Sequence, residues 1–428
     1  MRTRQPPAPT RARTAAIPRR IAIALLGALM VLVIGSLPVT AGATPAAAAK
    51  KKKKGKSAAC SRPLPAGSQT VPLVVDGRSR PFLLHVPSGY NGRTPLPLLL
   101  NLHFSGGDGA AQMSATGLQA TADAGGFLVA APTGGAIAAP GAAWVVPDVP
   151  PNGTAPPGGF PDDVKYLIEV VNKVQAISCQ DRRKVFSTGF SGGARMTSAL
   201  ACHAADRFTA VIADAGLRAG APGPGGTAPD PSTCRPARPL PIFALHGTAD
   251  GTNPFDGGGA AYWQYGVPQA LAAWASLNGC GPSLGVRPVA PQVDELGYDG
   301  CGLYSTVRLY RITGGGHVWF SDPSQIRAND VVRDVIARFA LLKPKVRVKG
   351  APKGCAEGPI KLKLRVTEDS PTSTLVATLD GKRVLRRREQ DSVKLALNPS
   401  PGPHALKLTA TDHAGLTGKK KLRLRGCH

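Results

Sequence analysis

The chain has 428 residues, 43% hydrophobic and 5% aromatic, with 52 Lys and Arg against 26 Asp and Glu for a net charge of +26. That apolar content excludes a wholly disordered chain, and the length allows two or three domains with one large core. The charge sits at the ends: residues 1–56 hold 12 basic residues and no acid, residues 345–428 hold 19 basic against 7 acidic, and the stretch between them carries only +2.

In chain order, basic residues through Arg19 and Arg20 precede fourteen apolar or small residues, Ile21 to Ile34, and Ala41-Gly-Ala43 follows. This is the layout of an export signal with a small-residue cleavage site, predicted over 1–43. Fourteen residues fall short of the roughly 20 needed to span a bilayer. A secreted, extracellular protein without a membrane span after cleavage is therefore expected. Residues 44–57, with Lys50 to Lys54 and Lys56, read as a disordered basic arm.

A near-neutral domain is predicted over 58–343. Val71 to Val75 and Pro81 to Val86, joined at Asp76-Gly77, read as a hairpin. Leu96 to Leu102 is continuously apolar, as a buried central strand is. A strand is predicted over 126–131, a helix over 162–175, and a strand leading to Ser191 with a helix after it. Further strands fall at 209–213, 241–245 and 305–312, with helices at 267–277 and 326–342. Strands alternating with helices imply an α/β fold with a mostly parallel sheet covered on both faces.

Beyond Lys343-Pro344 the period changes to two. Residues 361–366, 375–379, 393–397, 404–409 and 421–425 alternate apolar and polar, with turns at Asp380-Gly381 and Pro399 to Gly402. A small all-β sandwich over 345–428 with basic outward faces follows. Eight cysteines in an exported chain imply disulfides. Sequence-close pairing gives Cys202–Cys234, Cys280–Cys301 and Cys355–Cys427, leaving Cys60–Cys179.

Chemistry enters at Lys184-Val-Phe-Ser-Thr-Gly-Phe-Ser191-Gly-Gly-Ala-Arg-Met196. A strand-forming run, a Gly-x-Ser-x-Gly turn and a small-residue helix make the context in which serine becomes the exposed nucleophile of an α/β-hydrolase. A second match, Gly281-Pro-Ser283-Leu-Gly285, follows no strand, and Pro282 suits a loop, so Ser283 reads as a decoy. Such a fold supplies its acid and its histidine later in the chain, in that order. Pro241 to Asp250 ends a predicted strand with a carboxylate, and Leu309 to His317 ends another with an imidazole. The expected triad is Ser191, Asp250 and His317: the imidazole takes the serine proton, and the carboxylate fixes its tautomer and stabilises its cation. The oxyanion hole is expected from Gly192 and from the loop His103-Phe-Ser-Gly-Gly107. No cofactor is called for, and no metal site, since the eight histidines lack ligand spacing.

His103-Phe-Ser-Gly-Gly, Asp162-Asp-Val164, Gly189 to Met196, His246-Gly-Thr-Ala-Asp250 and Gly314-Gly-Gly-His-Val-Trp319 occur in an order that resembles secreted esterases. The resemblance, over about 60–343, is to the polyhydroxybutyrate depolymerase-like, feruloyl and acetylxylan esterases of carbohydrate esterase family one. It implies Ser191, Asp250 and His317 as triad, with Ser105 and Gly192 donating to the oxyanion. Two positions depart from the pattern: Phe104 stands where the family has glycine, and Phe320 where proline is common. Trp319 and Phe104 are the candidate substrate-binding residues; Trp319 either lines the acyl pocket or packs the histidine loop. Tyr262, Trp263 and Tyr265 offer either a substrate platform or core packing. The basic sandwich resembles immunoglobulin-like appendages of exported bacterial enzymes, a spacer or an adhesive for an anionic surface or polymer. No nucleic-acid partner is expected, since no base-reading motif occurs.

The sequence thus points to a secreted serine esterase acting through an acyl-enzyme. Its ester would be a hydroxyalkanoate polyester or oligomer, or a feruloyl or acetyl ester of plant polysaccharide. The alternatives are a non-catalytic surface-binding protein on a hydrolase scaffold and a serine peptidase of the same fold.

Overall fold

The computed structural model describes residues 60–367 and 372–427. The export signal at 1–43 and the basic arm at 44–57 lie outside the described residues.

A ten-stranded sheet organises the α/β region. Its strands in chain order are β1 (Gly67–Val71), β2 (Phe82–Val86), β3 (Leu96–Leu102), β4 (Leu128–Pro132), β5 (Gln180–Phe190), β6 (Ala210–Asp214), β7 (Ile242–Gly247), β8 (Ser283–Ala290), β9 (Val293–Tyr298) and β10 (Val307–Ile312). The spatial order is β1-β2-β4-β3-β5-β6-β7-β10-β9-β8. The six central strands, β4 to β10, pair in parallel. The two strands at each edge are antiparallel. Residues of β3 alternate between two apolar layers. Leu98, Leu100 and Leu102 join the core containing α3 (Asp163–Ile177), α4 (Gly192–His203) and α5 (Val267–Leu277). Leu99 joins the core with α1 (Gly109–Thr116), α2 (Leu118–Gly125) and α6 (Ala328–Arg338). This explains why β3 shows no period: both of its faces are buried.

Several expectations are corrected. Helices α1 and α2 were not predicted; they are rich in Ala and Gly, and each is closed by a glycine in the left-handed region, Gly117 and Gly126. Gly126 therefore caps a helix, and β4 starts at Leu128. Helix α6 stops at Arg338 instead of 342, because the chain turns extended and Leu341 N–H donates to the Arg183 carbonyl at 2.9 Å. Pro344 would in any case disfavour helix at Lys343. Ser283 does not lie in a loop but opens the exposed edge strand β8.

The second region carries β11 (Lys345–Lys349), β12 (Ile360–Thr367), β13 (Thr372–Leu379), β14 (Lys382–Arg388), β15 (Ser392–Leu397), β16 (Gly402–Asp412) and β17 (Thr417–Gly426). They form two antiparallel sheets, β11-β12-β15 and β14-β13-β16-β17. Leu362, Leu364, Leu375, Leu395, Leu406 and Leu408 belong to one buried apolar cluster drawn from both sheets. Each alternate residue faces out and most are basic, as on β12, where Lys361, Lys363 and Arg365 are exposed. The four disulfides join Cys60–Cys179, Cys202–Cys234, Cys280–Cys301 and Cys355–Cys427, the pairing expected.

Candidate active site

The carboxyl ends of β5, β7 and β10 place the three triad candidates. Ser191 sits between β5 and α4 with φ 54° and ψ −112°, a backbone conformation that a side-chain-bearing residue rarely adopts. The turn is tight enough that a Cβ on Gly193 would strike the Leu102 carbonyl, and one on Gly189 would strike Gly193. Glycine at both positions is therefore a steric requirement. The strained residue is held by Ser191 N–H donating to the Asp214 carbonyl at 3.0 Å and by Arg195 N–H donating to the Ser191 carbonyl at 3.0 Å.

His317 Nε2 lies 2.8 Å from Ser191 Oγ, and His317 Nδ1 lies 2.7 Å from Asp250 Oδ2. The structure thus brings together three side chains separated by up to 126 residues in sequence. Asp250 is buried, and burial alone would raise its pKa. Hydrogen bonds from His246, His317 and the Asn253 N–H outweigh that and hold the carboxyl well below the usual carboxylate range. Its other oxygen accepts from the N–H groups of Thr252 (2.9 Å) and Asn253 (2.8 Å). A second carboxyl, Asp214 at the end of β6, is wholly buried, and burial pushes its pKa far up. The two acids are pushed in opposite directions, and it is Asp250, the one held low, that meets the imidazole.

Gly192 and Ser105 also meet. A Cβ placed on Gly192 would lie 3.0 Å from Ser105 N and 2.5 Å from Ser105 Oγ, so the loop after β3 faces the start of α4. The loop is fixed by His103. Its Nδ1 donates to the Phe104 carbonyl at 2.7 Å, its Nε2 accepts from Gly134 N–H at 2.9 Å, and its own carbonyl accepts from the Trp144 indole at 2.8 Å. Burial lowers the His103 pKa to about 4, which keeps the neutral tautomer that this pattern needs.

Two candidate substrate residues separate. Phe104 packs edge-on against Phe190 at 6.2 Å, and Phe190 lies 5.0 Å from the His317 ring, so Phe104 belongs to the site's aromatic edge. Trp319 donates its indole N–H to Asn329 Oδ1 on α6 at 3.0 Å, and its half-buried ring packs against the α1–α2–α6 core, contacts that match the packing alternative of the two expected for it. Trp263 and Tyr265 are core residues, fully buried, whereas Tyr262 is partly exposed. Sequence reasoning missed Phe190, His103 and Arg195. Phe190 and Arg195 were in view inside the Gly189 to Met196 segment, and His103 at the head of the His103 to Gly107 loop, but none had been given a role.

No protein-family model matches the chain. A probable feruloyl esterase C of Aspergillus oryzae is 30% identical over 255 residues, covering 57% of this chain and 76% of that protein. Feruloyl esterase D of Neurospora crassa is 28% identical over 304 residues, 70% of this chain and 90% of the relative. Feruloyl esterase B of Piromyces equi is 29% identical over 244 residues, 56% of this chain; the match spans 42% of that longer protein.

Proposed function

The chain belongs to the feruloyl esterases and is a carboxylic ester hydrolase, and from that premise we propose that Ser191, His317 and Asp250 are its catalytic triad. Ser191 Oγ attacks the ester carbonyl while His317 Nε2 takes its proton. Asp250 holds Nδ1–H and stabilises the imidazolium. The tetrahedral oxyanion is met by the N–H of Gly192, which as the first helical residue has no carbonyl one turn back, and by the N–H of Ser105. Collapse returns the proton from His317 to the leaving alcohol and leaves an acyl-Ser191. Water, deprotonated by His317, then releases the acid. The observation that carries this reading is the unbroken chain of hydrogen bonds, 2.8 Å and 2.7 Å, from a strained serine to a buried, ionised carboxylate.

The substrate we propose is a feruloyl or acetyl ester of plant polysaccharide or a hydroxyalkanoate oligomer, met outside the cell. Support for secretion comes from the four disulfides. Among the described residues, no helix is long and apolar enough to cross a membrane. The second region we read as immunoglobulin-like: its first, second and fifth strands make one sheet, and its fourth, third, sixth and seventh make the other. Its basic outward faces suit an anionic surface or polymer.

A panel of p-nitrophenyl acetate and butyrate, methyl ferulate, acetylxylan and short hydroxybutyrate oligomers tests both parts. At least one ester is expected to be hydrolysed by the native protein, and Ser191→Ala is expected to abolish it. Near-native turnover in Ser191→Ala would remove the serine from the mechanism.

A further inference from the structure

One turn beyond the nucleophile, α4 carries a cation with no acidic partner. Arg195 is 5% exposed and lies over the Tyr262 ring at 3.8 Å. Its Nη2 donates to Ser105 Oγ at 3.2 Å, and its Nε, also buried, has no hydrogen-bond partner. It forms no ion pair with a carboxylate among the described residues. A buried guanidinium offers five donors, and leaving them unmet is costly. Arg195 is moreover close enough to Arg218 to lower that residue's pKa.

Arg218, also 5% exposed, is used by the fold. Its two terminal nitrogens donate to the carbonyls of Tyr265 and Trp263, and its plane lies 3.2 Å from the Tyr265 ring centroid. Arg195 has no such commitment. Both line a narrow cleft walled by Val146, Pro147, Ala199 and Tyr262, with a free volume of about 20 Å³, room for one small polar group. Burial lowers each guanidinium to about 10, so both remain cationic at neutral pH. Apolar walls around two cations make a low-dielectric site in which an anion is strongly favoured. The cleft does not include Ser191. Arg195 reaches toward the nucleophile's neighbours: its Nη2 donates to Ser105 Oγ and would lie 3.5 Å from a Cβ on Gly192.

We propose that this cleft is an anion subsite, and that the enzyme prefers esters carrying a carboxylate a few bonds from the ester group, with Arg195 as the residue that binds it. The inference rests on the triad reading and narrows its substrate class. The carboxylate has two sources: the alcohol part, as in the acid end of a hydroxyacid oligomer, or the acyl part, as in a half-ester of a diacid.

Two substrate pairs separate them. The linear dimer of 3-hydroxybutyrate is compared with its primary amide, and monoethyl glutarate with ethyl pentanoate. In the native enzyme, kcat/KM for the charged member of one pair is expected to exceed its neutral twin by roughly 10- to 100-fold, the range of a charge-assisted hydrogen bond. Arg195→Met is expected to bring that ratio close to one, and Arg195→Lys to keep part of it. Equal kcat/KM within both pairs for the native enzyme overturns the proposal without any variant. So does a preference that survives Arg195→Met and fades with salt, since the general basic field would then be its source. A loss in Arg195→Met shared equally by charged and neutral twins also overturns it, assigning Arg195 to holding Ser105. Failure of the native enzyme on every ester, charged or neutral, would instead defeat the triad reading itself.

Discussion

The α/β region and the β region handle polar groups in opposite ways. In the first, Asn101, His103, Ser191, Arg195, Asp214, Arg218, His246 and Asp250 are all buried; in the second, only Thr372 and Asp412 are buried polar residues among those described. Burying a polar group costs unless it is bonded, and burying a charge costs more. The β region therefore spends little on polar burial, and its main apolar cluster is Leu, Ile, Val and Ala. The α/β region accepts that cost, and some of its buried groups, Asp214 and Asp250 among them, stand with Ser191 at the carboxyl ends of its strands. One region buries the polar groups of the candidate site, and the other turns its charges outward.

That contrast breaks if activity does not depend on the buried groups. The largest effect is expected from Ser191→Ala or His317→Ala, each lowering kcat by about 10⁴-fold or more in ester turnover. Asp250→Asn should cost about 10³- to 10⁴-fold by favouring the wrong imidazole tautomer, with KM changed far less. A loss below tenfold would place the ionised carboxylate outside the mechanism.

The disulfides sharpen it next. Cys355–Cys427 ties the chain before β12 to the end of β17. Replacing both cysteines with serine should destabilise the β region by about 2–4 kcal/mol. Differential scanning calorimetry is expected to show an earlier melt for that region while ester turnover at room temperature persists. Loss of turnover in step with that melt would show that the regions are not separable.

A pH effect of similar size is expected from His103. Its folded pKa of about 4 lies below the unfolded value of 6.5, so the unfolded chain takes up the proton first. The stabilisation is complete above pH 6.5 and declines as pH falls toward 4, by about 3 kcal/mol in all. Denaturant titrations between pH 7 and 4 should show a shallower decline for His103→Asn than for the native protein. Parallel curves would contradict the neutral, buried state of the ring. The smallest effect on catalysis is expected from replacing Arg383, Arg386, Arg387 and Arg388 of β14 with glutamine. Turnover of a soluble ester should stay within twofold, while salt-sensitive retention on an anionic matrix falls.

The β region was legible almost strand by strand because only one face of each strand is buried, which writes a period of two into the sequence. Two of its strands went unread. Lys345–Lys349 is short, and Lys382–Arg388 has a single buried residue, Leu385. In the α/β region the central strands were legible from their apolar runs, whereas β8 and β9 were not: β8 is exposed, contains Gly285 and Pro288 and pairs on one side only, and β9 buries only Val293 and Gly297. The triad candidates were legible because each ends a strand, in an order the fold imposes. His103 and Arg195 were not, since their significance lies in what surrounds them. A sequence shows that an arginine is present; it does not show that the arginine is buried over a tyrosine ring with its Nε unpartnered.

Mass spectrometry of the intact, acid-quenched enzyme after brief exposure to an activated feruloyl or butyryl ester tests the central claim most directly. The account predicts an added acyl mass that peptide mapping assigns to Ser191 and that is absent from Ser191→Ala. Full ester turnover with the adduct on another residue, or with the same adduct forming in Ser191→Ala, would contradict it.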